Sequence, residues 1–176
     1  MIDHLERQGL IEHEHYRGVR LTPRGRNAAL TVVRRHRLSE KLLTDILHID
    51  WSHAHDAACK LEHSLSAEVT NSLDKVLGRP RTCPHGNPIP TEDGEITEEE
   101  GTQLSELKPG DKATVARIAE EKTEMLQYLA TLGLFPGTQV SVQERAPFNG
   151  PLMVKVGSAN YALSREIASL IWVTKE

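Results

Sequence analysis

Between His36 and His63 the sequence reads HRLSEKLLTDILHIDWSHAHDAACKLEH, and no other stretch limits the possibilities as much. His36 and Glu40 stand four residues apart. His55, Cys59, Glu62 and His63 follow at offsets of four, seven and eight. Residues at i, i+4, i+7 and i+8 share one face of an α-helix, so the second set points four metal-capable side chains the same way over about two turns. Imidazole, thiolate and carboxylate together suit borderline divalent ions: Fe(II), Mn(II), Co(II), Ni(II) or Zn(II). The plain alternative for His36 and Glu40 is a solvated helical pair contributing about a few tenths of a kcal/mol. The HxxxCxxEH set is harder to set aside. Cysteine is mostly buried, so Glu62 and His63 beside Cys59 need a partner close to the interior.

The chain has 176 residues, enough for a real core and for one or two domains. Its net charge of −4 argues against a uniformly basic nucleic-acid binder, but the charge is unevenly placed. Met1 to Arg37 holds eight Arg against four acids, whereas Thr91 to Glu106 holds seven acids and no Lys or Arg. Two cysteines, one in the ligand set and one in a Pro-rich loop, do not make a secreted disulfide scaffold. No stretch approaches the ~20 apolar residues of a membrane span, and the N-terminus has no signal-peptide pattern. A cytoplasmic location is expected.

In chain order, MIDHLERQGL has helical spacing with a stop at Gly9, and it opens mid-pattern, like the last turns of a helix whose start is absent. Arg17-Gly18 is the expected turn of a hairpin carrying Ile11, Val19 and Leu21. Thr22-Pro23 is an N-cap followed by Pro at the first helical position. A helix, a basic hairpin and a capped helix make the tail of a winged helix-turn-helix. Arg17, Arg20, Arg24 and Arg26 are then the candidate DNA contacts, with ordinary solvated charge as the alternative. One long helix is expected from Arg26 to about Ile49, and a second from Asp50 to about Gly78. Their apolar surface exceeds what one helical hairpin buries, which points to a symmetric dimer. Residues 79–101 read as a Pro-rich acidic linker or ordered loop, and its Cys83-Pro-His85 triplet reads as a turn with incidental donors. From Thr102 short strands, frequent turns and one small helix predict a small, partly open barrel.

At HRLSEKLL, HDAACKLEH and HGNPIP the sequence resembles the DtxR/MntR-type metal-dependent transcriptional repressors, specifically their iron-responsive branch. Through LKPGDKATVARI, LATLGLFPGTQV, the APFNGP turn and ALSREIASLIWV the last 75 or so residues resemble the FeoA-like, SH3-like barrel that ends many of them. The resemblance implies an ancillary metal site at His36, Glu40 and His55, and a primary, regulatory site at Cys59, Glu62 and His63. It implies Fe(II) or Mn(II) as the ion, a homodimer, and promoter DNA of metal-uptake genes as the target. In the family the barrel also lends a Glu and a Gln to the ancillary site. Alignment puts Arg117 and Glu120 there, and of these only Glu120 can donate, because Arg stays protonated. Family members begin about forty residues earlier. The first helices of the winged domain, the front of the recognition helix and the side chain completing the primary site have no counterpart here.

The expected fold class is therefore α+β. Residues 1–25 are a remnant of a winged helix-turn-helix, 26–78 a helical metal-binding and dimerisation domain, 79–101 a linker, and 102–176 an FeoA-like barrel. The expected function is metal-dependent repression of metal-homeostasis genes. A metal-binding dimerisation module without DNA binding of its own is the second reading, because an incomplete recognition helix lacks base contacts. Three ligands with an open position also describe a catalytic metal. However, the sequence has no HExxH, no carboxylate placed as a general base and no Gly-rich phosphate loop, so neither an enzyme nor a small-molecule substrate is expected.

Overall fold

The computed structural model describes residues 1–14, 18–97 and 101–176, with the main chain alone at Glu14. It has a helical part followed by a small antiparallel sheet, the α+β class expected. Helix α1 (Ile2–Arg7) leads into a hairpin of β1 (Ile11–Glu14) and β2 (Gly18–Leu21), paired Ile11 to Leu21. Arg17 lies outside the described residues. Helix α2 (Pro23–Lys41) starts where the Thr22-Pro23 signal puts it, with Thr22 Oγ1 accepting from the Gly25 amide at 3.0 Å. The start of α2 is bolted to what precedes it. Thr22 Oγ1 donates to the Gly9 carbonyl at 2.7 Å, and a Cβ on Gly25 would stand 1.8 Å from the Leu10 carbonyl oxygen.

The predicted long helix gives way after Lys41 to a π-helical turn, Leu42–Ile46. The second expected helix is three pieces. Helix α3 (Ala54–Leu61) tightens into a 3-10 turn at Glu62–Ser64, and α4 (Ala67–Val76) begins afresh behind a Ser66 cap. Leu65 is extended between them, and Ser66 accepts from the Val69 amide, a capping signal hidden inside an apolar periodicity.

Residues 79–97 hold no regular element beyond one bridge, Thr82 to Pro88. They are nevertheless packed: Cys83, His85, Asn87 and Ile89 are buried, and Cys83 and Ile89 close a small core with Leu38. The sheet that follows has the order β3-β8-β4-β5-β6-β7. Its strands are β3 (Thr102–Gln103), β4 (Lys112–Ile118), β5 (Gln139–Arg145), β6 (Leu152–Val156), β7 (Ala159–Leu163) and β8 (Ile171–Lys175). Helices α5 (Thr123–Thr131) and α6 (Arg165–Leu170) complete the unit. Ala113 and Val115 alternate inward as period two requires. A bulge between Val115 and Arg117 resets the phase, so Ile118 is buried and Arg117 lies over Trp172, 4.2 Å from its ring. Leu104, Leu126, Leu129, Leu134, Leu152 and Leu163 fill the core, each buried side chain contributing about 1.5–3 kcal/mol. Among the described residues no helix is long and apolar enough to cross a membrane.

Candidate metal centre

Helix α2 supplies His36 and Glu40, helix α3 supplies His55 and Cys59, the 83–87 strap supplies Cys83 and His85, and the segment after β4 supplies Glu121. Glu40 is the hub. Its side chain is fully buried, and its Oε1 lies 3.1 Å from His36 Nε2, 3.5 Å from His55 Nδ1 and 3.3 Å from His85 Nδ1. Glu121 closes the ring, with Oε2 at 2.9 Å from His55 Nδ1 and Oε1 at 3.8 Å from His85 Nδ1. His36 Nε2 and His55 Nδ1 are 3.1 Å apart. Two overlapping donor sets result, His36-Glu40-His55-Glu121 and Glu40-Cys83-His85-Glu121, sharing both carboxylates.

These separations suit an ion. Ligands held 2.0–2.2 Å from one centre stand about 3.0–3.5 Å from each other. The second oxygen of Glu40 is buried with no hydrogen-bond partner among the described residues. A buried carboxylate oxygen left orphaned is costly, and a cation in the cluster satisfies it. The donor set, three imidazoles, two carboxylates and a thiol, fits Fe(II), Mn(II) or a similar divalent ion.

The carboxylates and histidines of the cluster shift one another's titration. Burial lowers the pKa of His36, but hydrogen bonds and charge from Glu40 and Glu62 outweigh it, and the net shift is upward. Both ring nitrogens face carboxylates, with Nδ1 2.7 Å from Glu62 Oε2. Burial likewise opposes, and Glu40 and Glu121 together reverse, the shift of His85, which is also raised. For Glu40 burial pushes upward, yet the His36 and His85 hydrogen bonds bring it down to about 2. Burial first, then the neighbouring carboxylates, hold the Cys83 thiol well above its usual range.

These shifts set two opposite pH dependences. In the ion-free protein the raised histidines stabilise the fold fully below their ordinary 6.5, and that contribution fades as pH rises through their folded values. Glu40 contributes above its ordinary 4.5 and loses its contribution as pH falls toward about 2. An ion needs both rings neutral, so its affinity climbs over the same upward range. Thermal melts with and without Mn(II) are expected to diverge above pH ~6.5, the ion-free midpoint falling and the gain from metal growing.

The second expected set is arranged differently. Cys59 Sγ lies 3.7 Å from His55 Nε2 and 3.9 Å from His36 Nδ1, forming a third candidate group with those two histidines. Glu62 reaches His36 instead of a shared ion position. His63 is turned outward, its side chain 76 % exposed and its Nε2 3.5 Å from Glu62 Oε1. The reason is the 3-10 turn: at about 120° per residue it carries His63 off the face that α-helical spacing assigns it.

Glu120 also stands apart. Its carboxylate pairs with Lys122 Nζ at 3.2 Å near the surface, and the next residue, Glu121, turns inward. The register is set by the bulge in β4 and by Asn87, whose Nδ2 donates both to the Ile118 carbonyl (3.0 Å) and to Glu121 Oε1 (2.6 Å). Glu121→Ala is expected to weaken Mn(II) binding about ten- to a hundredfold and Glu120→Ala to leave the calorimetric isotherm unchanged. Cys83 and His85, which the sequence presents as incidental donors of a turn, and Glu121, which it does not single out, stand within the candidate cluster. The signal for the first two was the close donor spacing of Cys-Pro-His in a chain already rich in donors elsewhere.

Residues 22–91 match the family model described as iron dependent repressor, metal binding and dimerisation domain, and residues 102–175 match the FeoA domain. The iron-dependent repressor IdeR of Mycobacterium tuberculosis is 36% identical over 189 residues, covering 99% of this chain and 80% of its own length. This chain belongs to the iron-dependent repressor family. The diphtheria toxin repressor of Corynebacterium glutamicum is 34% identical over 182 residues, covering 97% of this chain and 78% of the relative. A solved manganese-dependent transcriptional repressor in complex with manganese superposes with a TM-score of 0.92 at 39% identity, over 99% of this chain and 82% of that one. The family's named activity is metal-dependent transcriptional repression, and its metal-binding and dimerisation model spans α2, α3, α4 and the 83–87 strap.

Proposed function

We propose that this chain is a cytoplasmic, homodimeric, DNA-binding repressor switched by Fe(II) or Mn(II), and that the ion acts by joining elements and not by activating a substrate. One observation carries this. Glu40, buried at the hub, gathers donors from α2, α3, the 83–87 strap and the barrel, so one ion there fixes the relative placement of all four. The His36, Glu40, His55 and Glu121 side chains, with Cys83 and His85, would hold it. When bound it would supply positive charge beside the carboxylates of Glu40 and Glu121.

Helix α2 connects that hub to the hairpin. Arg20, Arg24 and Arg26 are exposed around its first turn, suited to phosphate contact. An ion that binds the DNA-competent arrangement better raises DNA affinity by its differential affinity, and DNA raises ion affinity by the same factor. Exposed Ile46, Leu47, Ile49, Val69 and Val76 on the helical part support pairing with a second copy.

Fluorescence anisotropy of a labelled duplex from a metal-uptake promoter tests this, run anaerobically with and without Mn(II) or Fe(II). Metal-dependent binding is expected. Arg20→Ala combined with Arg24→Ala should weaken it for every sequence and lower the log–log salt slope by about 2. Equal binding after chelation would overturn the proposal. A dimer that takes up metal yet leaves every duplex free would replace it with a sensing and dimerising module.

A further inference from the structure

We propose that Trp51 is a positioning residue for the metal centre, fixing the His85 ring and linking its placement to the docking of the barrel. The inference rests on the metal-centre reading. Trp51 lies in the turn before α3 and grips the strap from both of its ends. Its backbone carbonyl accepts from His85 Nε2 at 3.1 Å, while its indole Nε1 donates to the Pro84 carbonyl at 3.0 Å. The indole also packs on the His85 ring, centroids 5.1 Å apart and planes 53° from parallel. On its other side it meets Phe135 edge-on at 5.0 Å and rests against the barrel core.

The two hydrogen bonds have a chemical consequence. With the Nε2 proton committed to the Trp51 carbonyl, the neutral His85 ring carries its lone pair on Nδ1. Nδ1 is the atom that faces Glu40 Oε1 at 3.3 Å, Glu121 Oε1 at 3.8 Å and Cys83 Sγ at 4.0 Å. A flip about the Cβ–Cγ bond would present carbon to the cluster and strand a polar nitrogen in a fully buried site. The tilted indole packs against one face of the ring that such a flip would turn. Ordinary core packing accounts for the contact with Phe135. It does not account for two directed bonds to consecutive residues of the strap. One residue of the helical part thus touches the ligand, the strap and the barrel, so a pull on His85 is felt at Phe135.

Zn(II), which does not quench indole emission, is the probe. In the full chain carrying Trp172→Phe, Trp51 is the sole indole. Its emission is expected to shift on titration and saturate with the calorimetric isotherm. His85→Ala should abolish the shift while leaving the circular dichroism unchanged. Both variants keep the backbone carbonyl, so they test the indole itself: Trp51→Ala should weaken Zn(II) binding about ten- to a hundredfold, and Trp51→Phe, which keeps a ring against His85 though not the Nε1 donor, should restore most of the affinity. Zinc uptake with silent emission, or unchanged affinity in Trp51→Ala, would overturn the inference and leave the metal centre standing. Absence of zinc uptake by the unsubstituted chain would overturn both. If Trp51→Ala does not fold, the emission titration and Trp51→Phe decide the matter.

Discussion

Glu40→Gln is expected to reduce affinity for Mn(II) or Co(II) by about a hundredfold or more, beyond what loss of an outer partner does. The substitution keeps shape and volume and removes only charge. Glu40 is shared by the two four-donor sets, so neither can compensate for the other, and the third group, His36-His55-Cys59, offers no carboxylate. Its carboxylate is also the principal reason that His36 and His85 hold protons against the pull of burial. Without it both rings titrate lower, opposed to burial only by Glu62 at His36 and by Glu121 and the Trp51 carbonyl at His85, and the ion-free protein loses part of its stability change above pH ~6.5. Isothermal calorimetry under anaerobic conditions and a pH series of thermal melts read these two effects separately. An unchanged isotherm would remove Glu40 from the site.

Gly86→Ala is expected to separate the strap from the barrel. Gly86 has φ +85°, and an added Cβ would lie 2.0 Å from the Ala116 carbonyl oxygen and 2.8 Å from the Arg117 Cα, both backbone atoms. Neither can yield as a flexible side chain does. The strap must lift, breaking the 2.9 Å bond from the Ile118 amide to the His85 carbonyl and both Asn87 bonds. The combined strain and lost pairing should destabilise the docked arrangement by about 2–4 kcal/mol. Two donors from the strap and one from the barrel then leave the hub together. A single cooperative melt becoming two, with barrel released by brief proteolysis, is the expected readout. Retained metal affinity with one melt would refute this account of the docking.

Much of this architecture was legible in local signals. Thr22-Pro23, Gly9 and the alternation of Ala113 and Val115 act within a few residues, and the structure uses them as read. Helical spacing aligned His36 with Glu40 but grouped His55 with Cys59; that His55 belongs beside the first pair came from the family resemblance, and the packing of α3 on α2 brings the three together. What stayed hidden depended on departures from regular geometry. The 3-10 turn at Glu62–Ser64 moved His63 by breaking the period that had grouped it with Cys59. The bulge in β4 and the Asn87 clamp chose Glu121 over Glu120, a difference of one residue. Cys83 and His85 sit in a segment with no periodicity, so only their contacts, made across more than forty residues to Glu40, reveal that the segment is built into the core.

The rigid seating of α2 has a geometric result. Gly25 against Leu10 and Thr22 against Gly9 leave no slack where the helix meets the first hairpin. Pro23 and His36 are thirteen residues apart within α2, or about 20 Å along the axis. A tilt of about 5° imposed at His36 then sweeps the far end through roughly 1.7 Å, more than half a hydrogen-bond length. In the proposed repressor such a rod would work as a pointer, turning a sub-ångström contraction around a cation into a displacement large enough to bring arginines into or out of register with a row of phosphates.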